Sequence, residues 1–314
     1  MTSRTASVLR AAEMYYLENH TMDAIAEAIG VSRATVSRMI SEARTSGLVE
    51  ITVHRRRRAA ATLERLIAER YDVDVTVVAP PENATDTDRV RHAAAQAGTV
   101  LRASLAPDLF IAVAWGATVS TLARSLSPGV VPGIQIVQMS GAGNTFFSGA
   151  EYAAGTLGRF GAAFGARVHQ FPVPAFFDTA AARNALWTER SVQRVLRLQE
   201  RANLAVFSVS ALDARIPGHL YRAGYLQRED FRQLLDQGVV GELGTIFLRA
   251  DGTSDSIALN ARSSGLPVAA LKGIRRRLCV AAGAGKAAVV KAALLAGAVT
   301  DLIVDDACAE LIMS

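Results

Sequence analysis

The chain has 314 residues, half of them hydrophobic and a fifth charged, with a formal net charge of +5. That length allows a small domain plus a large one with a substantial core. It contains no uncharged apolar run of the roughly 18 residues a membrane helix needs, and Arg4, Arg10 and Glu13 stand where a signal peptide has its apolar centre; no membrane partner and a cytoplasmic location are expected.

Residues 1–60 hold nine Arg against six Asp and Glu, so a net +3 of the +5 lies in the first fifth of the chain, which favours a polyanionic partner. In order, residues 7–18 carry Val8, Ala11, Ala12 and Tyr15 at helical spacing and predict a first helix. Thr21 caps a second helix bearing Ala24, Ile25, Ala28 and Ile29, although Ala24 stands where a capping box has Glu. The chain then turns through Gly30-Val31, and Ser32 caps a third helix that starts at Arg33. Val36, Met39, Ile40 and Ala43 form one stripe of that helix; Arg33, Ala34, Ser37, Arg38 and Ser41 form the other. This is a helix-turn-helix whose short, polar, cationic face fits a DNA major groove, with Ser32, Arg33, Thr35, Ser37 and Arg38 as the DNA-binding candidates. The competing reading of the same pattern is a solvated helix of a small bundle. Gly47 then ends the helix, and Val49, Ile51 and Val53 alternate as a short, wing-like strand. His54 to Arg58 is a basic run, and residues 59–70, with Leu63, Leu66 and Ile67, predict a linking helix.

From Tyr71 the texture changes. Strands are expected at 73–78, 109–114, 134–139, 204–209, 245–248, 278–282 and 301–304. Helices are expected at 86–105, 118–126, 150–164, 189–201, 229–237 and 287–296. Alternation of apolar strands with amphipathic helices is the pattern of a mostly parallel sheet covered on both faces. Residues 211–226 and 251–267 read as irregular.

Ligands in such sheets sit beyond the carboxyl ends of the strands. Trp115-Gly116-Ala117-Thr118-Val119-Ser120 leaves a strand and opens a helix, an arrangement suited to an anion. Gln138-Met139-Ser140-Gly141-Ala142-Gly143-Asn144 is a second polar loop, with Glu151 on the helix after it. Gly241-Glu242-Leu243-Gly244 reads as a third loop and Ala282-Gly283-Ala284-Gly285-Lys286 as a fourth, and Lys286 is one of only three lysines. The Gly-Lys pair is not a Walker A loop, since Val280 and Ala287 replace its first Gly and its Ser or Thr. No GxGxxG fingerprint occurs, because Phe146 stands at the third position. Cys279 and Cys308 lack disulfide-framework or zinc spacing, and His20, His54, His92, His169 and His219 are scattered, so neither a metal nor a cofactor is expected.

Five ordered segments resemble the SorC family of bacterial sugar-responsive transcriptional regulators, the type that includes deoxyribonucleoside and central glycolytic repressors. They are the N-terminal reader, Trp115-Gly116-Ala117-Thr118, Gly238-Val239-Val240-Gly241-Glu242, Ala282-Gly283-Ala284-Gly285-Lys286 and Asp301-Leu302-Ile303-Val304-Asp305-Asp306-Ala307. The resemblance implies an α/β protein: a winged helix-turn-helix domain over 1–54, a basic linker and helix over 55–70, and over 71–314 a Rossmann-like effector domain similar to glucosamine-6-phosphate deaminase and ribose-5-phosphate isomerase. It implies double-stranded operator DNA and a sugar or sugar-phosphate effector as partners, and a homo-oligomer, dimer or tetramer. Gly116 and Thr118 would hold the effector's phosphate with Ser120 nearby, Glu242 would accept sugar hydroxyls, Lys286 would attract a phosphate or carboxylate, and Asp305 would border the pocket. The Gly116-Ala117-Thr118-Val119 loop lacks one hydroxyl of the family pattern. Ser140-Gly141 lacks the Lys or Arg that relatives often carry, which points to a less anionic ligand and against a covalent imine at that position. The alternative function is a sugar-phosphate isomerase or deaminase with an appended DNA-binding module, for which Glu151, Glu242 and Asp305 are the available bases.

Overall fold

The computed structural model describes residues 3–49, 55–144, 149–212 and 219–314. The chain divides into two compact units, Met1–Arg55 and Arg56–Ser314.

The first unit holds α1 (Ser3–Tyr16), α2 (Met22–Ile29) and α3 (Arg33–Thr45). Helix α1 begins and ends earlier than its apolar spacing predicts. Thr21 accepts the Ala24 amide at 3.2 Å, Gly30 turns the chain at φ +70°, and Ser32 accepts the Thr35 amide at 3.2 Å. Side-chain caps satisfy donors that a helix start leaves open, and Gly30 takes a left-handed conformation that a Cβ disfavours. Val8, Ala11, Ala12, Met14, Ile25, Ala26, Val36, Ile40 and Ala43 are buried, so the apolar stripe of α3 is the core side. Residues 47–49 form a turn rather than the start of a strand, closed by the Val49 amide on the Ala43 carbonyl at 3.0 Å; the rest of the expected wing, 50–53, and His54 lie outside the described residues.

The second unit holds all but the first residue of α4 (Arg55–Tyr71), then β1 (Asp74–Val78), α5 (Asp86–Ala103), β2 (Phe110–Val113), α6 (Ala117–Ser125), β3 (Gln135–Gln138), α7 (Gly149–Phe164) and β4 (Arg167–His169). It continues through α8 (Ala180–Leu186), α9 (Arg190–Glu200), β5 (Leu204–Phe207), β6 (Val209–Ala211), α10 (His219–Arg222), α11 (Arg228–Asp236), β7 (Val239–Leu243) and β8 (Ile246–Arg249). Last come α12 (Ala258–Arg262), α13 (Val268–Lys272), β9 (Arg276–Ala281), a 3-10 turn (Ala284–Lys286), α14 (Ala287–Leu295), β10 (Asp301–Asp305) and α15 (Asp306–Met313). Seven strands form a parallel sheet in the order β1-β10-β9-β5-β2-β3-β4, and β6-β7-β8 form a separate antiparallel sheet.

Alternation along β2 shows how the sheet is covered: Ile111 and Val113 join a core cluster with Ala97 and Leu122, while Ala112 and Ala114 join one with Ile67, Val195 and Val290. Both faces are buried, which is why the strands read as continuous apolar runs. Helix α4, expected as a linking helix, packs into the second unit: Ala60 and Ile67 are buried in it, and Glu64 accepts the Val77 amide at 2.8 Å.

The segment Gly241-Glu242-Leu243-Gly244, expected as a loop, is instead the end of strand β7 and the first turn residue after it. Flanking glycines imitate turn punctuation, but Gly241 is required inside the strand because a Cβ there would lie 2.4 Å from the Ser210 carbonyl. Leu243 pairs with Ile246 across Gly244 (φ +51°) and Thr245 (φ +73°), a two-residue turn of the kind favoured in hairpins.

Candidate functional site

The order of the parallel sheet reverses between β5 and β2, since β3 and β4 lie beyond β2 on one side and β9, β10 and β1 beyond β5 on the other. A crevice opens beyond the carboxyl ends of strands at such a reversal. After β2 the chain passes Trp115 and reaches Gly116, whose φ of +143° is open only to glycine, and α6 starts there. Thr118, on the first turn of α6, is buried, and its Oγ1 accepts the Lys286 ammonium at 3.0 Å. The same ammonium lies 3.4 Å from the Oγ of Ser208, at the end of β5. Lys286 itself ends the 3-10 turn that follows β9 and Gly283 (φ +95°). One cation therefore joins the loops after three adjacent strands, at the starts of two helices whose free amides favour an anion.

The anticipated pair of hydroxyls on α6 is split. Thr118 faces Lys286, whereas Ser120, two residues on and so on another side of the helix, accepts from Arg124 at 3.0 Å and shares a hydrogen bond with Tyr152.

Glu242 approaches from the antiparallel sheet. It is buried, it accepts the Thr245 amide at 2.8 Å, and it is hydrogen-bonded by Ser210. Burial pushes its carboxyl up to about 7; the Thr245 amide, Ser210 and the Lys286 charge oppose that shift. Desolvation also lowers Lys286, against the attraction of Cys279, Cys308, Glu242 and Asp305. Burial raises the two thiols, Cys279 to about 12, so neither is a thiolate nucleophile at neutral pH. Tyr221, whose hydroxyl donates to the Ser210 carbonyl at 3.3 Å, is driven up by burial and then by Glu242.

Ser140 and Gly141 follow β3. The Ser140 carbonyl accepts from Gln138 Nε2 at 2.7 Å and from Trp115 Nε1 at 3.3 Å, and the Gly141 amide donates to Ser264 Oγ at 2.9 Å. The peptide is pinned on both sides, yet the buried Ser140 hydroxyl has no hydrogen-bond partner among the described residues. An unmet buried hydroxyl costs roughly 1–3 kcal/mol, a cost that a ligand or water atom would remove.

Asp305 is occupied within the chain. One oxygen accepts the Gly283 amide at 2.9 Å and caps α15 through the Cys308 amide at 3.3 Å; the other meets Arg89 at 2.8 Å. Its geometry makes it a support for the Gly283 turn. Glu151 is exposed on the first turn of α7, and among the described residues no hydrogen bond joins it to the Lys286 group. Ser208, Ser210, Tyr221 and Thr245 escaped the sequence reading; a hydroxyl ending the apolar run Leu204-Ala205-Val206-Phe207 was the available signal for Ser208.

In the first unit, Arg33, Ser37 and Arg38 are exposed on α3. Arg33 lies 3.4 Å from Asp23, and Arg38 reaches back to the Ala34 carbonyl and Thr35 hydroxyl, each at 3.4 Å. Ser32 and Thr35 are tied to each other at 2.9 Å as part of the cap, so their first role is to start the helix.

Residues 56–314 match the family described as "Putative sugar-binding domain". Over its whole length the chain resembles the deoxyribonucleoside regulator of Bacillus subtilis, at 28% identity over 308 residues covering 98% of this chain and 96% of that protein. A crystal structure of a domain of a "possible sugar-binding transcriptional regulator" from Arthrobacter aurescens superposes with a TM-score of 0.77 at 42% identity, covering 81% of this chain and 98% of that one. The full-length sorbitol operon regulator SorC from Klebsiella pneumoniae shares the fold with a TM-score of 0.74 at 19% identity, over 98% of each chain.

Proposed function

The chain belongs to this SorC-type sugar-binding domain family through residues 56–314, and we propose that it is a ligand-responsive DNA-binding transcriptional regulator of a carbohydrate-utilisation operon. The observation that carries the reading is Lys286, held between Thr118 and Ser208 at the sheet's reversal point, with two helix starts converging there. That cradle suits one anionic group, such as the phosphate of a sugar or polyol phosphate. Glu242, able to be neutral or charged near pH 7, and the unpartnered Ser140 hydroxyl suit the sugar's own hydroxyls. Gly116, Thr118, Ser140, Gly141, Glu242 and Lys286 form the proposed effector site, with Asp305 supporting it and Ser120 and Glu151 at its margin.

Operator DNA is read by α3, through Arg33, Ser37 and Arg38, on a start fixed by Ser32 and Thr35. The protein acts in the cytoplasm as a homo-oligomer, dimer or tetramer, so that paired heads meet a repeated or palindromic operator. Effector binding shifts the population of assemblies competent for that operator. In this reading the chain senses its ligand without transforming it: an isomerase or deaminase would need a positioned proton shuttle, and of the two carboxylates whose charge acts on Lys286, Asp305 is tied as a cap and to Arg89, while Glu242, poised near neutrality, is the base that a turnover assay would reveal.

Thermal melting against a panel of sugars, polyols and their phosphates tests the reading, since a ligand bound only to the folded form raises its stability. Stabilisation by a sugar phosphate, without turnover of it, is the expected result; turnover would establish the enzyme.

A further inference from the structure

Helix α9 carries Arg190, Arg194 and Arg197, and Arg201 caps its C-terminus. At 100° per residue the four fall within about 60° of one another on the helix wheel, opposite the buried Val192, Val195 and Gln199. All four are exposed, and none forms an ion pair among the described residues. Elsewhere in the unit some exposed arginines are paired, Arg65 with Glu69, Arg91 with Asp88 and Arg232 with Glu229, and others, such as Arg124, Arg159 and Arg228, stand singly without an ion pair among the described residues; α9 differs in aligning four on one face. Arg197 donates instead to Gln193 at 3.2 Å, and Arg201 stands 4.1 Å over the Phe110 ring. The helix's own acids, Glu189 and Glu200, sit to one side of the stripe.

Like charges three and four apart repel, and Arg190 places a cation at the positive end of the helix dipole, although Arg197 and Arg201 sit favourably at its negative end. The neighbouring edge strand adds to the positive charge: Arg167 of β4 is exposed, and Arg167 and Arg194 both lie close enough to His169 to help lower it, after desolvation. A row of cations with no ion-pair partner among the described residues is complementary to an external polyanion.

We propose that the arginine stripe of α9, with Arg167 at its side, is a second DNA-contacting surface that holds the phosphate backbone of duplex without reading its sequence. The inference rests on the regulator reading above. From Arg190 to Arg201 the stripe is about 16 Å long, and one strand of duplex presents a phosphate every 3.4 Å of axis, so the row spans about five of them. The planar guanidinium forks match phosphate oxygens two at a time. DNA is favoured over an acidic protein face because the row is regular, solvent-facing and free of apolar anchors, whereas protein interfaces centre on buried aromatic or aliphatic groups.

The test uses the full chain and two duplexes, a selected operator and a scrambled sequence of equal length, with Kd measured from 50 to 200 mM salt. Substituting Arg190, Arg194, Arg197 and Arg201 together by Gln should reduce the slope of log affinity against log salt by about 2 to 4, at about 0.9 for each phosphate no longer neutralised, for both duplexes alike. The double variant R194Q/R197Q, less demanding on folding, should lose about 1 to 2 of that slope with a melting curve like the parent's. An unchanged slope in folded variants overturns the proposal, as does a change in sedimenting mass with an unchanged slope, which would assign the stripe to another copy. A parent chain that binds neither duplex would instead sink the regulator reading itself.

Discussion

Lys286 Nζ lies 3.0 Å from Thr118 Oγ1, and these residues are 168 positions apart in the chain. The contact joins the turn after β9 to the helix that starts after β2, so that two loops, each a separate ligand candidate in the sequence, become one anion cradle. Its cation is partly desolvated, and a desolvated cation gains more from an anionic ligand than one in bulk water does.

Replacing Lys286 with Met should therefore weaken a sugar phosphate by about 10- to 100-fold, the worth of a charge-assisted hydrogen bond of roughly 1.5–3 kcal/mol. Operator affinity without ligand should be unchanged. Isothermal titration and DNA-binding anisotropy check the two halves separately.

Glu242 should make stability depend on pH. Its carboxyl is raised in the folded state from an ordinary 4.5 to about 7, so the folded protein holds a proton that the unfolded chain releases. The resulting stabilisation is complete below about 4.5 and is lost as pH rises through about 7, a change on the order of 3 kcal/mol. Denaturant midpoints of the parent should fall across that window. Those of Glu242→Gln, which keeps an acceptor for the Thr245 amide, should stay flatter there.

Ser140→Ala should separate ligand binding from stability. Removing a buried hydroxyl without a partner should leave the ligand-free protein as stable as the parent or up to about 1 kcal/mol more so, while weakening the ligand. A loss of stability with unchanged ligand affinity would place that hydroxyl outside the site.

In the reading head, Ser32→Ala removes the cap on the Thr35 amide and should cost about 1 kcal/mol of stability in the first unit. Arg38→Ala should instead spare the melt and cost about 1–3 kcal/mol of specific operator affinity. Circular dichroism melts and competition binding distinguish these effects.

Much of this was legible because it is written locally. Thr21, Gly30 and Ser32 announce the helix-turn-helix through caps and a left-handed turn, and apolar runs such as Phe110-Ile-Ala-Val113 announce strands covered on both sides. What stayed hidden depends on distant partners. Glu242 read as a loop residue because Gly241 and Gly244 look like turn punctuation, while Gly241 is there to let the Ser210 carbonyl approach. Strands β4 and β6, three residues each, are too short to show a period. The division of labour between Thr118 and Ser120 follows from which neighbour each meets, and Asp305 looks like a pocket acid until Arg89, Gly283 and Cys308 are seen around it.

The most direct test of the account is the affinity of the full chain for a duplex it selects from a random library, measured with and without a stabilising sugar phosphate, for the parent and for Lys286→Met. The account predicts that the ligand changes the parent's Kd by about 10-fold or more, a coupling of about 1.4 kcal/mol, and leaves that of the variant where it was. An equal response in both proteins would contradict it, because the effector would then be sensed somewhere other than the cradle of Lys286, Thr118 and Ser208.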